Sequence, residues 1–153
     1  MTDRIHELLH YWFGNVGSAD LPNSDRTNLW FGENDSAKHQ LAELFKDEYV
    51  AATIDNMPEW EKTARGRLAL IILLDQFSRY THRTSAKAFA YDAQALKLCE
   101  EGLRLKMDHS LTLIERVFFY MPLVHAEDVS CQEKSIRLYQ ELVSLSMSET
   151  TQI

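Results

Sequence analysis

Two segments of this 153-residue sequence run an apolar stretch directly into a cluster of groups able to move protons. Leu68 to Leu74 leads into Asp75, Gln76 and Arg79, and Val117 to Val124 leads into His125, Glu127, Asp128, Gln132 and Glu133. A helix that is apolar on every side is a buried helix, so ionisable groups at its end are either paired inside the fold or line a cleft. In a cleft, carboxylates such as Asp75, Glu115 and Glu127 beside His125 push one another's proton affinities apart and divide acid and base roles. Those residue types suit a small hydrolase-like site, with Arg79, Asp92, Asp128 and Gln132 as groups that bind and orient a polar ligand. The architectural alternative uses the same side chains. Asp75 pairs with Arg79 one turn on, Asp92 or Glu115 takes Arg116 or Arg65, and Gln132 satisfies a loop carbonyl.

His6-Glu7-Leu8-Leu9-His10 matches the H-E-x-x-H pattern, in which two histidines one turn apart hold zinc and the glutamate serves as base. No further histidine follows at metzincin spacing, and the stripe Ile5, Leu8, Leu9 and Trp12 accounts for the segment as an amphipathic helix with His6 and His10 at its polar margin. His125-Ala-Glu127-Asp128 has metal-binding residue types too, but a two-metal carboxylate bundle needs Glu-x-x-His twice, a condition this sequence does not meet. Asp128 is then the cap of the following helix. There is neither a Gly-rich phosphate loop nor a serine elbow, and no cofactor is expected.

Composition narrows the class of partner. With 16 Lys and Arg against 23 Asp and Glu, the formal charge of −7 repels a phosphate backbone, so nucleic acid is not an expected partner. Cys99 and Cys131 are too few for a disulfide framework. The start, Met1-Thr-Asp-Arg-Ile-His, lacks a leader's apolar run, and Leu68 to Leu74 is far short of the ~20 residues of a membrane helix, so the expectation is a cytoplasmic protein without a membrane span.

Five Gly and three Pro, helical spacing throughout and no alternating strand pattern predict an all-α domain of about six helices over residues 1–146, followed by a polar, frayed tail over 147–153. The first helix is expected from about Asp3 to Phe13, stopped by Gly14, with a loop over Asn15 to Asn28. A helix from about Asp35 to Ile54, capped by Asn34 or Asp35, comes next. Thr63 caps the apolar helix running to about Tyr80, and Thr84 or Ser85 caps another that Gly102 ends. Thr112 and Glu115 form a capping box, Pro122 kinks or ends that helix, and a last one runs from about Asp128 to Leu145. On it, Val129, Gln132, Ile136, Tyr139 and Val143 share a face, which turns Gln132 inward. Short connections make stacked antiparallel hairpins, tetratricopeptide-like in shape although no consensus recurs at 34 residues. The aromatic residues from Tyr11 to Tyr120 fill the seams between them.

The residues Tyr11-Trp-Phe-Gly14, Trp30-Phe-Gly32, Arg65-Gly-Arg-Leu-Ala-Leu-Ile-Ile-Leu-Leu-Asp-Gln-Phe-Ser-Arg79, Phe89-Ala-Tyr-Asp92 and Glu115-Arg-Val-Phe-Phe-Tyr-Met-Pro-Leu-Val-His-Ala-Glu-Asp128, with Gln132-Glu133, form one set. It resembles the bacterial family called domain of unknown function 924, from Ile5 to about Leu145. The resemblance implies an all-α, tetratricopeptide-like fold and brings no established activity, substrate or cofactor. Members usually have Pro at Ser78, Asn at Tyr80 and Ser at Ala126, changes that gather at the polar ends of the helices. They also continue beyond this sequence's end at Ile153 through a segment rich in Arg and His, so a site drawing on that segment is expected to be incomplete here. The leading expectation is a module that binds a protein or peptide on a concave face. A hydrolase-like enzyme around Asp75, Glu115 and His125 is the rival, and a homo-oligomer covering an apolar face is the third.

Overall fold

Asp3 accepts the His6 N–H at 3.1 Å and starts helix α1 (Arg4–Phe13), which Gly14 ends at φ 68°. A side chain held in that left-handed conformation costs roughly 1–2 kcal/mol, which glycine avoids. Leu8, Leu9, Trp12 and Phe13 form its buried stripe. The computed structural model describes residues 3–14, 26–31 and 35–151, so most of the expected loop over Asn15 to Asn28, and Asn34, lie outside the described residues.

All the elements in the described residues are helical, with no strand among them. After α2 (Thr27–Phe31), the single helix expected up to Ile54 is two, α3 (Asp35–Leu44) and α4 (Lys46–Thr53), divided at Phe45, whose ring is fully buried. A 3₁₀ turn (Pro58–Lys62) leads to Thr63, which accepts the Gly66 N–H at 3.0 Å and opens α5 (Ala64–Ile71). That helix continues as a π segment (Ile72–Phe77) and α6 (Ser78–Thr81). Residues Gly66 to Asp75 are all buried, as the apolar run Leu68 to Leu74 demands, and they take Arg67 and Asp75 inside with it.

Ser85 caps a 3₁₀ turn (Ala86–Phe89) rather than a full helix, and α7 begins at Asp92 and runs to Arg104. Gly102, expected as a helix stop, lies inside α7. A Cβ there would come within 2.5 Å of Phe119 Cζ and 2.8 Å of Arg67 Cδ, so close packing explains the glycine. A further 3₁₀ turn (Met107–Ser110) precedes α8 (Leu113–Phe119), whose capping box is present as expected. Pro122 ends α8 at Tyr120 and sits in the first turn of α9 (Met121–His125), where its missing N–H has no partner to lose. The last helix, α10 (Val129–Thr151), runs through the segment expected to fray. Splitting at Phe45 and Tyr120, together with short α2 and α6, raises the helix count above the six expected.

The face of α10 turned inward differs from expectation. Ser135 and Leu142 are buried and Cys131, Leu138 and Tyr139 are partly so, whereas Val129, Gln132, Ile136 and Val143 are exposed. Side-chain contacts give the helix directions. Arg67 near the start of α5 donates to Leu98 in α7, and Arg79 in α6 meets Asp92 at the start of α7, so the two run antiparallel. Tyr139 in α10 likewise reaches back to the Val117 carbonyl in α8. Across the pairs, Arg65 meets Glu115 and Asp75 meets His125, which sets the α5–π–α6 rod parallel to α8 and α9.

Candidate functional site

Asp75 lies in the π segment and is fully buried. A π turn inserts one residue into the helix, so the side chains after it leave the face that regular spacing assigns them. Its carboxylate collects donors from three directions: Oδ1 accepts from His125 Nδ1 at 2.7 Å and Arg79 Nη1 at 3.3 Å, and Oδ2 accepts from Gln76 Nε2 at 2.7 Å. Arg79 Nη1 also donates to the Asp75 carbonyl at 2.7 Å, and its fork closes on Asp92, Nη1 to Oδ1 at 2.9 Å and Nη2 to Oδ2 at 3.0 Å. Paired N–H···O bonds of that kind fix direction as well as charge. Phe89 lies against the guanidinium, 5.4 Å from its ring centroid.

An ionised carboxylate only accepts, so His125 Nδ1 carries the proton it shares with Asp75, and in the neutral ring Nε2 keeps the lone pair. The His125 side chain is 26 % exposed and borders two cavities. The first, of about 540 Å³, is walled by Trp30, Phe31, Val117, Met121 and Tyr139. Its polar lining is Lys38, Gln76, Arg79, Tyr80, Arg83 and His125, with no carboxylate among the described residues although the whole chain carries −7. The Tyr80 hydroxyl is buried without a hydrogen-bond partner there, and burial raises its pKa, so it stays a neutral donor. The second cavity, of about 640 Å³, lies across Arg79 and His125, against Phe89, Asp92, Glu127 and Asp128.

Of the residues singled out by sequence, the structure brings Asp75, Arg79, Asp92 and His125 into one network. Glu127 is exposed at the rim of the second cavity. Asp128 borders the same cavity and caps α10, accepting the Cys131 N–H at 3.1 Å. Gln132 is exposed and donates to the Ala126 carbonyl at 2.9 Å. Glu115 stands apart: it is buried, accepts the Thr112 N–H at 2.9 Å and Arg65 Nη1 at 2.7 Å, and borders neither cavity. His6 and His10 are exposed on α1, their rings stacked 6.1 Å apart. No group of three or more His, Cys, Asp or Glu placed to hold a metal ion occurs among the described residues.

Lys38, Tyr80 and Arg83 enter the lining without having been marked by sequence. Lys38 sits on a helix with a narrow apolar stripe and gives no signal of its own, while Tyr80 and Arg83 follow the π turn and so escape stripe counting. Chemically, the arrangement offers an imidazole whose orientation a buried carboxylate fixes, with its second nitrogen left to give or take a proton at the cavities.

No helix among the described residues is long and apolar enough to cross a membrane. The chain is similar to a solved structure of a protein of unknown function from Agrobacterium tumefaciens, with 27% sequence identity and a TM-score of 0.78 over 95% of this chain and 80% of that one. No curated protein matches it. The model of a family described as bacterial proteins of unknown function, DUF924, matches residues 8–152, and the chain belongs to that family.

Proposed function

We propose that the protein binds a small anionic molecule with an apolar body in the cavity beside His125 and moves a proton on it through His125 Nε2. The observation that carries this reading is the 2.7 Å contact between a fully buried Asp75 and a ring that borders open space. The Tyr80 hydroxyl, a donor awaiting an acceptor, and a described lining without a carboxylate favour an anionic ligand. No Ser, Thr or Cys borders either cavity among the described residues, which favours attack by a His125-activated water, or abstraction of a substrate proton, over a covalent intermediate.

Calorimetric titration with benzoate and phenyl phosphate, alongside turnover of nitrophenyl acetate and nitrophenyl phosphate, tests it. The expected result is binding at about 1 mM or tighter, and loss of at least about tenfold in affinity or rate in His125→Ala with the fold intact. A wild-type protein that neither binds nor turns over any of the four, or a variant equal to it, refutes the reading.

A second reading draws on α10, where Val129, Ile136 and Val143 are 71%, 56% and 58% exposed along one stripe. An apolar row of that kind favours a protein or peptide partner, or a second copy of the chain. Light scattering at high concentration on wild type and Ile136→Glu separates these: a strict monomer in both removes self-association. The free thiols of Cys99 and Cys131 support a reducing, cytoplasmic setting for either reading.

A further inference from the structure

Arg67, Leu70 and Leu74 share one side of the rod formed by α5 and the π segment, and all three border a separate cavity of about 570 Å³. Arg67 is only 5% exposed, yet no carboxylate pairs with it among the described residues. Its guanidinium donates to neutral acceptors alone: Nη2 to the Glu61 carbonyl at 2.8 Å, Nη1 to the Leu98 carbonyl at 3.2 Å and Nε to Met107 Sδ at 3.2 Å. Five N–H groups are available on that side chain, so one on each terminal nitrogen is unspent. A buried ion held only by neutral groups keeps its attraction for a counter-ion.

The rim carries the opposite charge. Asp55, Glu61 and Glu100 all border the cavity, and none of their carboxylates makes an ion pair or hydrogen bond with a described residue, against one lysine, Lys97. Glu101 is already taken by Arg104, with Nε to Oε2 at 3.1 Å. Leu70, Leu74 and Leu96 supply an apolar wall to the same cavity.

We propose that this cavity binds a small zwitterion with an apolar side chain, of the class of the apolar amino acids. Its carboxylate would take the two unspent N–H groups of Arg67, its ammonium would face Asp55, Glu61 and Glu100, and its hydrocarbon would lie on Leu70, Leu74 and Leu96. This site is distinct from the one beside His125 and does not draw on the proton chemistry there.

The test is calorimetric titration of the full chain with L-leucine, with 4-methylpentanoate, which lacks the ammonium, and with 3-methylbutylamine, which lacks the carboxylate. Leucine is expected to bind, with each single-charge probe weaker by at least about tenfold. Arg67→Met should abolish leucine binding. Because a buried arginine also supports the fold, the triple variant Asp55→Asn, Glu61→Gln, Glu100→Gln provides the second arm. It should bind leucine at least about tenfold more weakly while leaving 4-methylpentanoate unchanged or tighter. No heat with leucine on the folded wild type, equal affinity for leucine and 4-methylpentanoate, or full leucine affinity in the triple variant would each overturn the proposal.

Discussion

Replacing Asp75 by Asn keeps the shape of the side chain and removes its charge, so it isolates the part of the network that depends on ionisation. In the wild type the carboxylate takes His125 and Gln76 at 2.7 Å and Arg79 at 3.3 Å, at a position with no solvent access. The amide oxygen of Asn still accepts from His125 and Arg79, but a bond to a charged group contributes ~1.5–3 kcal/mol where a neutral one contributes ~0.5–1.5, so about 1 kcal/mol is lost at each. On the other side the new NH₂ meets Gln76 Nε2, donor against donor. Relief requires Gln76 to turn its amide, which gives up the 3.1 Å contact from Nε2 to Met121 Sδ. Arg79 keeps Asp92 and is not orphaned. The total is about 3 kcal/mol, at the lower edge of the ~3–5 kcal/mol seen when a buried pair is broken outright. For a chain of this length that corresponds to a fall in Tm of roughly 6–12 °C. Urea unfolding followed by far-UV circular dichroism measures it, with Asp92→Asn as the comparison. The Asp92 side chain is 24 % exposed, so its loss should cost only about 1 kcal/mol. An Asp75→Asn variant within ~0.5 kcal/mol of wild type at unchanged urea slope would show that no ionised carboxylate holds His125.

Gly102→Ala should destabilise, although Ala is favoured over Gly by about 1 kcal/mol inside a helix, because the new methyl meets Phe119 Cζ at 2.5 Å and overpacking costs ~1–3 kcal/mol; a gain in Tm contradicts this. Thr112→Ala removes the acceptor of the Glu115 N–H and should cost about 1 kcal/mol in the same melts. The hydrogen bonds from Arg4, at 3.0 and 3.2 Å, hold the Glu48 carboxyl below its ordinary pKa. A depressed carboxyl stabilises the fold above its unfolded pKa and loses that contribution as pH falls through the folded one. Glu48→Gln should therefore cost up to about 1 kcal/mol at neutral pH, with the two proteins converging in acid below about pH 4. Burial raises the pKa of Tyr49, Tyr80, Tyr120 and Tyr139, so their contribution is complete below about pH 10 and is lost as pH rises. The phenolate absorbance of these four should appear together with loss of the helical signal, and its appearance in a folded protein would count against their burial.

What could be read from sequence was what short-range chemistry decides. The caps at Thr63 and Thr112 each rest on a side chain three residues from the N–H it satisfies, and Gly14 on a single φ, so all three were visible in the residues alone. On α10, two stripes compete at helical spacing. Val129, Ile136 and Val143 are the more apolar row, but contact with α8 and α9 turns Cys131, Ser135, Leu138 and Leu142 inward instead, and only tertiary packing makes that choice. The π turn has no counterpart in apolar periodicity, and it is what places Asp75, Gln76, Tyr80 and Arg83 where they are. Composition alone ranked Glu115 beside Asp75 as a partner for His125. The capping box and Arg65 consume it, as the Thr-x-x-Glu spacing and the architectural alternative had already allowed.

Two side-chain contacts relate the site to the alignment of the two rods. Arg65 to Glu115 and Asp75 to His125 each span 50 residues, and the caps Thr63 and Thr112 that open the two rods lie 49 residues apart. The two rods are therefore aligned in register along their length, pinned near their starts by Arg65–Glu115 and near their ends by Asp75–His125. Ten residues separate the pins on each rod, roughly 15 Å at helical rise. One rod accommodates a π turn over that span and the other a proline break at Tyr120, so neither keeps the regular spacing that a sequence repeat would report. The connections each carry a 3₁₀ turn of their own, and the two rods open 49 residues apart rather than 34. Glu115 thus ties the start of α8 to α5 as His125 ties the end of α9 to the π segment, one contact at each end of the same alignment.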